Sequence, residues 1–192
     1  MRILLLVAVL AVAAGPVSAS PPDPLKSSCD PILVGNSSGD DRGNAFVVYA
    51  RWPSGNPYLS PVVYSLNFVS AGAHPYASPE PGMTVDCAAG TISQTNSTGQ
   101  AVFHARFGGF DNHYGVQVRI DGLLLKAIPV RSTDIDGNGV TDLRDVDAFR
   151  ERFMHDTTAP ETDLNQDGVT NGYDFAIMRA EFIAGVKGTV CP

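Results

Sequence analysis

Two stretches of this chain, DIDGNGVTDLRDVDAFRERF (134–153) and DLNQDGVTNGYDFAIMRAEF (163–182), repeat one pattern at a constant offset of 29 residues. Asp134, Asp136, Asn138, Gly139, Val140, Asp142 and Asp145 match Asp163, Asn165, Asp167, Gly168, Val169, Asn171 and Asp174. Counted from the leading aspartate, oxygen-bearing side chains fall at positions 1, 3, 5, 9 and 12, with glycine at 6. That is the ligand spacing of a twelve-residue calcium loop. Past each loop, Val146, Phe149 and Phe153 match Phe175, Met178 and Phe182. Their spacing of three and then four residues is one face of an α-helix. The repeat therefore predicts two loop-helix units that bury their apolar faces against each other.

A hard cation such as Ca²⁺ takes six to eight oxygen ligands at about 2.3–2.6 Å and tolerates irregular geometry, whereas Mg²⁺ demands a tight octahedron. The early carboxylates converge only if the chain turns sharply between them, which Gly139 and Gly168 allow. Val140 and Val169, at position 7, would offer backbone carbonyls and turn their side chains to the core. Asp145 and Asp174 would close each shell from the first turn of a helix. Asx-rich turns also cap helices without any metal, but two such loops in register argue for two calcium sites.

The charge agrees with this. The net charge is −7, and residues from Ser132 onward carry 12 acids against 5 bases, while the rest of the chain carries 8 of each. An excess confined to one acidic tract argues against a nucleic-acid partner.

The amino terminus, MRILLLVAVLAVAAGPVSAS, has one arginine, an apolar run and small residues before a cleavage position. It is predicted to be a signal peptide over 1–19, too short in its apolar part to span a bilayer. The mature protein is then secreted or at the cell surface, with no membrane span after signal cleavage. Residues 20–44 read as an N-terminal extension or loop, 45–131 as a β domain and 132–192 as the calcium-binding domain. In the β domain, runs such as AFVVYARW and VVYSLNFVS alternate with clusters rich in Gly, Pro and Asn, the spacing of an antiparallel sandwich. The three cysteines, Cys29, Cys87 and Cys191, are an odd number in an oxidising compartment. Cys29 with Cys87 is the favoured pair, and Cys29 with Cys191 the alternative.

A calcium loop closed by Asp at position 12, followed by a helix, preceded by none and repeated within about sixty residues, resembles a type I dockerin. The likeness covers 132 to about 186. The segment before Asp134, LLLKAIPVRST, is β-like and contains Pro129, so no incoming helix can swing as in a calcium sensor. The resemblance implies two Ca²⁺ ions and docking onto a cohesin-like protein module. It places partner recognition at positions 10 and 11, here Leu143-Arg144 and Gly172-Tyr173, where the family often has Ser-Thr. Upstream, GTISQTNSTGQAVFHARFGGF…GVQVRIDG resembles the immunoglobulin-like modules of invasin-type surface proteins. The expected fold is thus an all-β immunoglobulin-like sandwich, then a small all-α dockerin-like module of two calcium-loop-helix repeats.

Catalysis finds little support. His74, His104, His113 and His155 are scattered, no HExxH or GxSxG occurs, and no acid pair is singled out by spacing. Trp52, Tyr58, Tyr64, Tyr76 and Tyr114 near turns offer an alternative role in polysaccharide binding, as an accessory to its degradation. The sequence thus points to a non-catalytic protein for calcium-dependent attachment, with a polysaccharide binder or a calcium-stabilised adhesin as alternatives.

Overall fold

The computed structural model describes residues 20–31, 33–35, 45–59, 61–69, 72–76, 82–96, 98–104, 106–184 and 191. The expected signal peptide lies outside them. The chain forms β1 (Ser28–Cys29), β2 (Leu33–Gly35), β3 (Phe46–Tyr49), β4 (Val62–Phe68), β5 (Ala73–Pro75) and β6 (Met83–Asp86). Then follow β7 (Thr91–Asn96), β8 (Gln100–Phe103), β9 (Phe107–Gly109), β10 (Asp111–Ile120) and β11 (Leu123–Ser132), and last the helices α1 (Leu143–His155) and α2 (Gly172–Ala184). Two short strands thus arise within the stretch expected to be an extension.

The strands assemble into a three-stranded sheet, β1-β3-β8, a six-stranded sheet, β2-β11-β10-β4-β7-β6, and a two-stranded pair, β5-β9. Strand β4 shows why. Val62, Tyr64, Leu66 and Phe68 alternate with Val63, Ser65 and Asn67, and the first set is buried. Period-two burial fixes its register between β10 and β7. The inward sets, including Phe46, Val48, Phe103, Ile92 and Val118, form one core, an arrangement that fits a β-sandwich.

The C-terminal third corrects the expected fold class. The molecule is mostly β-sheet with only two helices among the described residues, and residues beyond Ser132 do not form an all-α module of two calcium-loop-helix repeats. Strand β11 carries the chain to Ser132, whose hydroxyl donates to the Phe107 carbonyl at 2.8 Å. The Gly109 N–H donates to the Asp134 carbonyl at 2.8 Å. His74 Nε2 lies 2.9 Å from the Gly137 carbonyl. The switch in periodicity at Ser132 marks a change of local structure, and backbone groups of the first loop are satisfied by the sheet. The helices also bury less of each other than their pattern implies. Phe149, Met178 and Leu164 are buried together, whereas Phe153, Phe175 and Phe182 are 43%, 44% and 37% exposed.

The disulfide differs too. Cys87 pairs with Cys191, their Cα atoms 5.1 Å apart, and Cys29 is free. Neither expected pairing of Cys29 forms. Cys29 lies on β1, at the edge of the three-stranded sheet, whereas Cys87 follows β6 at the edge of the six-stranded one.

Candidate metal centres

Each loop gathers three carboxylates. Asp134, Asp136 and Asp145 can each place an oxygen within 4.8 Å of the others, and so can Asp163, Asp167 and Asp174. Backbone N–H groups hold these carboxylates in place. In the first loop, Asp134 accepts from Asn138 and Gly139, and Asp145 accepts from Asp136 and Asp142. In the second, Asp163 accepts from Gly168, and Asp174 from Asn165 and Asn171. The position-12 aspartate thus clamps positions 3 and 9 in both loops. Gly139 and Gly168 turn the chain at φ 96° and 90°, in the left-handed region that side chains resist.

Several expected ligands have other partners. Asp142 caps α1 by accepting from the Arg144 N–H, and Asn171 accepts from the Tyr173 N–H. The Asn171 amide donates to Asp167 at 2.9 Å and to the Val169 carbonyl at 3.1 Å. Asn138 and Asn165 donate side-chain amides to Asp136 and Asp167. The position-7 side chains do not turn to the core as expected: Val140 is half-buried and Val169 is 45% exposed. Position 2 takes that role instead, with Leu164 buried and Ile135 packed on the same cluster.

The electrostatics oppose an empty site. Burial pushes the Asp134 carboxyl up to about 7, with N–H donors from Gly139 and Asn138 acting against it and the charges of Asp145 and Asp136 acting with it. Burial also raises Asp145. Exposed Asp167 is held low by hydrogen bonds from Asn165 and Asn171. Two further atoms fit a bound cation. Asp163 is 8% exposed, and its Oδ1 is buried without a hydrogen-bond partner among the described residues. The Tyr76 hydroxyl, wholly buried and also unpartnered, lies against the first loop. Buried polar atoms are rarely left unsatisfied; a cation would take up Asp163 Oδ1 directly and, in the first loop, fix a carboxylate to which the Tyr76 hydroxyl can donate. The donors are all hard oxygens, as Ca²⁺ requires.

No known protein family, curated protein or solved structure matches this chain.

Sequence reasoning missed two parts of these centres. One is a buried hydroxyl pair in each copy, Thr133 with Thr141 at 2.9 Å and Thr162 with Thr170 at 2.7 Å. Both pairs repeat at the same offset as the acids, so that signal was present. The other is the contact of the loops with the strands. Arg131, at the end of β11 and 3% exposed, stacks on Phe110 at 4.9 Å and donates to the Val130 carbonyl. Its burial lowers its proton affinity, while the charges of Asp163, Glu161 and Asp111 raise it.

The expected partner-reading residues are accessible. Leu143 is 67% and Tyr173 75% exposed, and Arg144 and Gly172 are exposed as well. Gly172 forms one wall of an apolar groove of about 370 Å³ between the helices, with Phe149, Phe153 and Phe175. The tyrosines considered for stacking on sugars are less available. Tyr58, Tyr64 and Tyr76 are buried, and Trp52 packs on Tyr58 at 4.3 Å. Of the Tyr114 side chain, which lies outside the described side chains, nothing is concluded.

Proposed function

We propose that this is a secreted, non-catalytic protein that binds two Ca²⁺ ions, one in each of loops 134–145 and 163–174. Its work is then calcium-dependent attachment or assembly outside the cell. The observation that carries the reading is the paired three-carboxylate clusters, one of which includes Asp163, whose Oδ1 is buried without a hydrogen-bond partner among the described residues. The loops' resemblance to those of type I dockerins supports a protein partner of cohesin-like kind. Recognition would then use the exposed Leu143, Arg144, Gly172 and Tyr173.

Two bound ions would offset four of the seven net negative charges. A ligand that binds only the folded chain stabilises it by about 2.7 kcal/mol at a hundredfold excess over its dissociation constant. Calorimetric titration of the full chain should give two equivalents of calcium, and chelator should speed proteolysis within 132–192. Equal cleavage with and without chelator, or no binding heat, would sink the reading. Attachment is tested separately by capture on cohesin modules in calcium against chelator, with Tyr173→Ala as the variant expected to weaken it.

A further inference from the structure

The two loops have near-identical ligand patterns but different surroundings. The first loop lies on the β5-β9 pair. A methyl added to Gly108 of β9 would collide with both the Tyr76 hydroxyl and Asp134 Oδ2. The phenol and the leading carboxylate therefore face one small space, kept open by a glycine. The Tyr76 hydroxyl is wholly buried and has no hydrogen-bond partner among the described residues. His74, with its ring edge-on to Tyr76 at 5.9 Å, contacts the Gly137 carbonyl at position 4 of the loop.

Position 4 shows the difference between the copies. Gly137 and Gln166 both have positive φ, 73° and 60°, so backbone conformation alone does not demand a glycine there. What does is His74: a Cβ on Gly137 would lie 2.8 Å from its Cε1.

Resting on the calcium reading above, we propose that the first calcium site is shared with the β-sheet. Tyr76 is its positioning residue, its hydroxyl facing the Asp134 carboxylate and donating to it once the ion fixes that group, and His74 seats the loop. The second loop has a different neighbour on the sheet, the buried guanidinium of Arg131, whose positive charge acts on Asp163, so the two sites are unequal and the first binds more tightly. Tyr76 orients a ligand without being one, as outer-shell partners of metal sites do.

The test uses the full chain. Asp163→Asn removes the second site and leaves the first to be titrated alone with Ca²⁺. Adding Tyr76→Phe to that background keeps the ring and removes only the hydroxyl. It should weaken calcium binding about tenfold, while the circular dichroism in chelator stays unchanged. A loss of affinity with the chelator-state spectrum unchanged is what a merely structural role would not produce. If Tyr76→Phe disturbs the fold, Gly137→Ala reports instead. Crowding His74, it should weaken the first site, while Gln166→Ala at the matching position should not.

Unchanged affinity in Tyr76→Phe, or equal effects of Gly137→Ala and Gln166→Ala, would overturn the proposal. If the unmodified chain binds two ions and Tyr76→Phe changes nothing, only this inference falls. If the unmodified chain binds none, the calcium reading falls with it.

Discussion

At the scale of residues, the carboxylates were legible because a hard cation needs oxygens at fixed spacing, and Asp134 to Asp145 and Asp163 to Asp174 meet that need within twelve residues each. Tyr76 was not legible, since only the folded sheet brings it against Asp134. The local code also misplaced Val169: an exposed position 7 beside a buried Leu164 is set by which side of the loop faces the helices. Asp163→Asn should reduce the calcium stoichiometry from two to one by calorimetry. Thr170→Val should cost about 1 kcal/mol in urea unfolding, since it removes the buried bond between the two hydroxyls while Thr162 keeps its bond to the Ala159 carbonyl. Cys29 offers a pH test. Burial pushes its thiol up to about 11, against the pull of Lys126, so the thiolate is depleted below that pH. Its alkylation rate in the native protein should keep rising through pH 9 and level near 11. Levelling near 9 would show an ordinary, accessible thiol.

At the scale of elements, strands with clean alternation were readable, and β4 is the clearest. Strand β9, Phe-Gly-Gly, was not, because glycine carries no periodic signal and its pairing with β5 is set by tertiary contact. The helices were predicted from their three-four spacing, yet that pattern cannot say how far two short helices overlap. They meet at Phe149 and Met178 over Leu164, and Phe175 at the start of α2 reaches Phe149 at 5.8 Å between ring centroids. Phe149→Ala should therefore cost about 3–5 kcal/mol. Phe153→Ala, at a residue 43% exposed, should cost about 1 kcal/mol or less. Thermal unfolding in calcium measures both, and equal losses would contradict the packing described.

At the scale of the whole molecule, composition located the excess charge but not the union of the loops with the sheet, because the residues that join them lie far apart in sequence. The cysteine count left the pairing open for the same reason. The Cys87–Cys191 bond closes a separation of 104 residues, and a cross-link of that span is worth about 2–5 kcal/mol. Cys191→Ser should lower the stability against urea by that amount. The same bond also sets how the protein carries load. A pull on its two ends passes from Cys87 directly to Cys191, so β7 to β11, both loops and both helices stay outside the path of the force. Stretched under a single-molecule tether, the chain should yield about 350 Å more length once reductant is added. Until that bond opens, a tug on the two ends carries no covalent tension through the calcium loops.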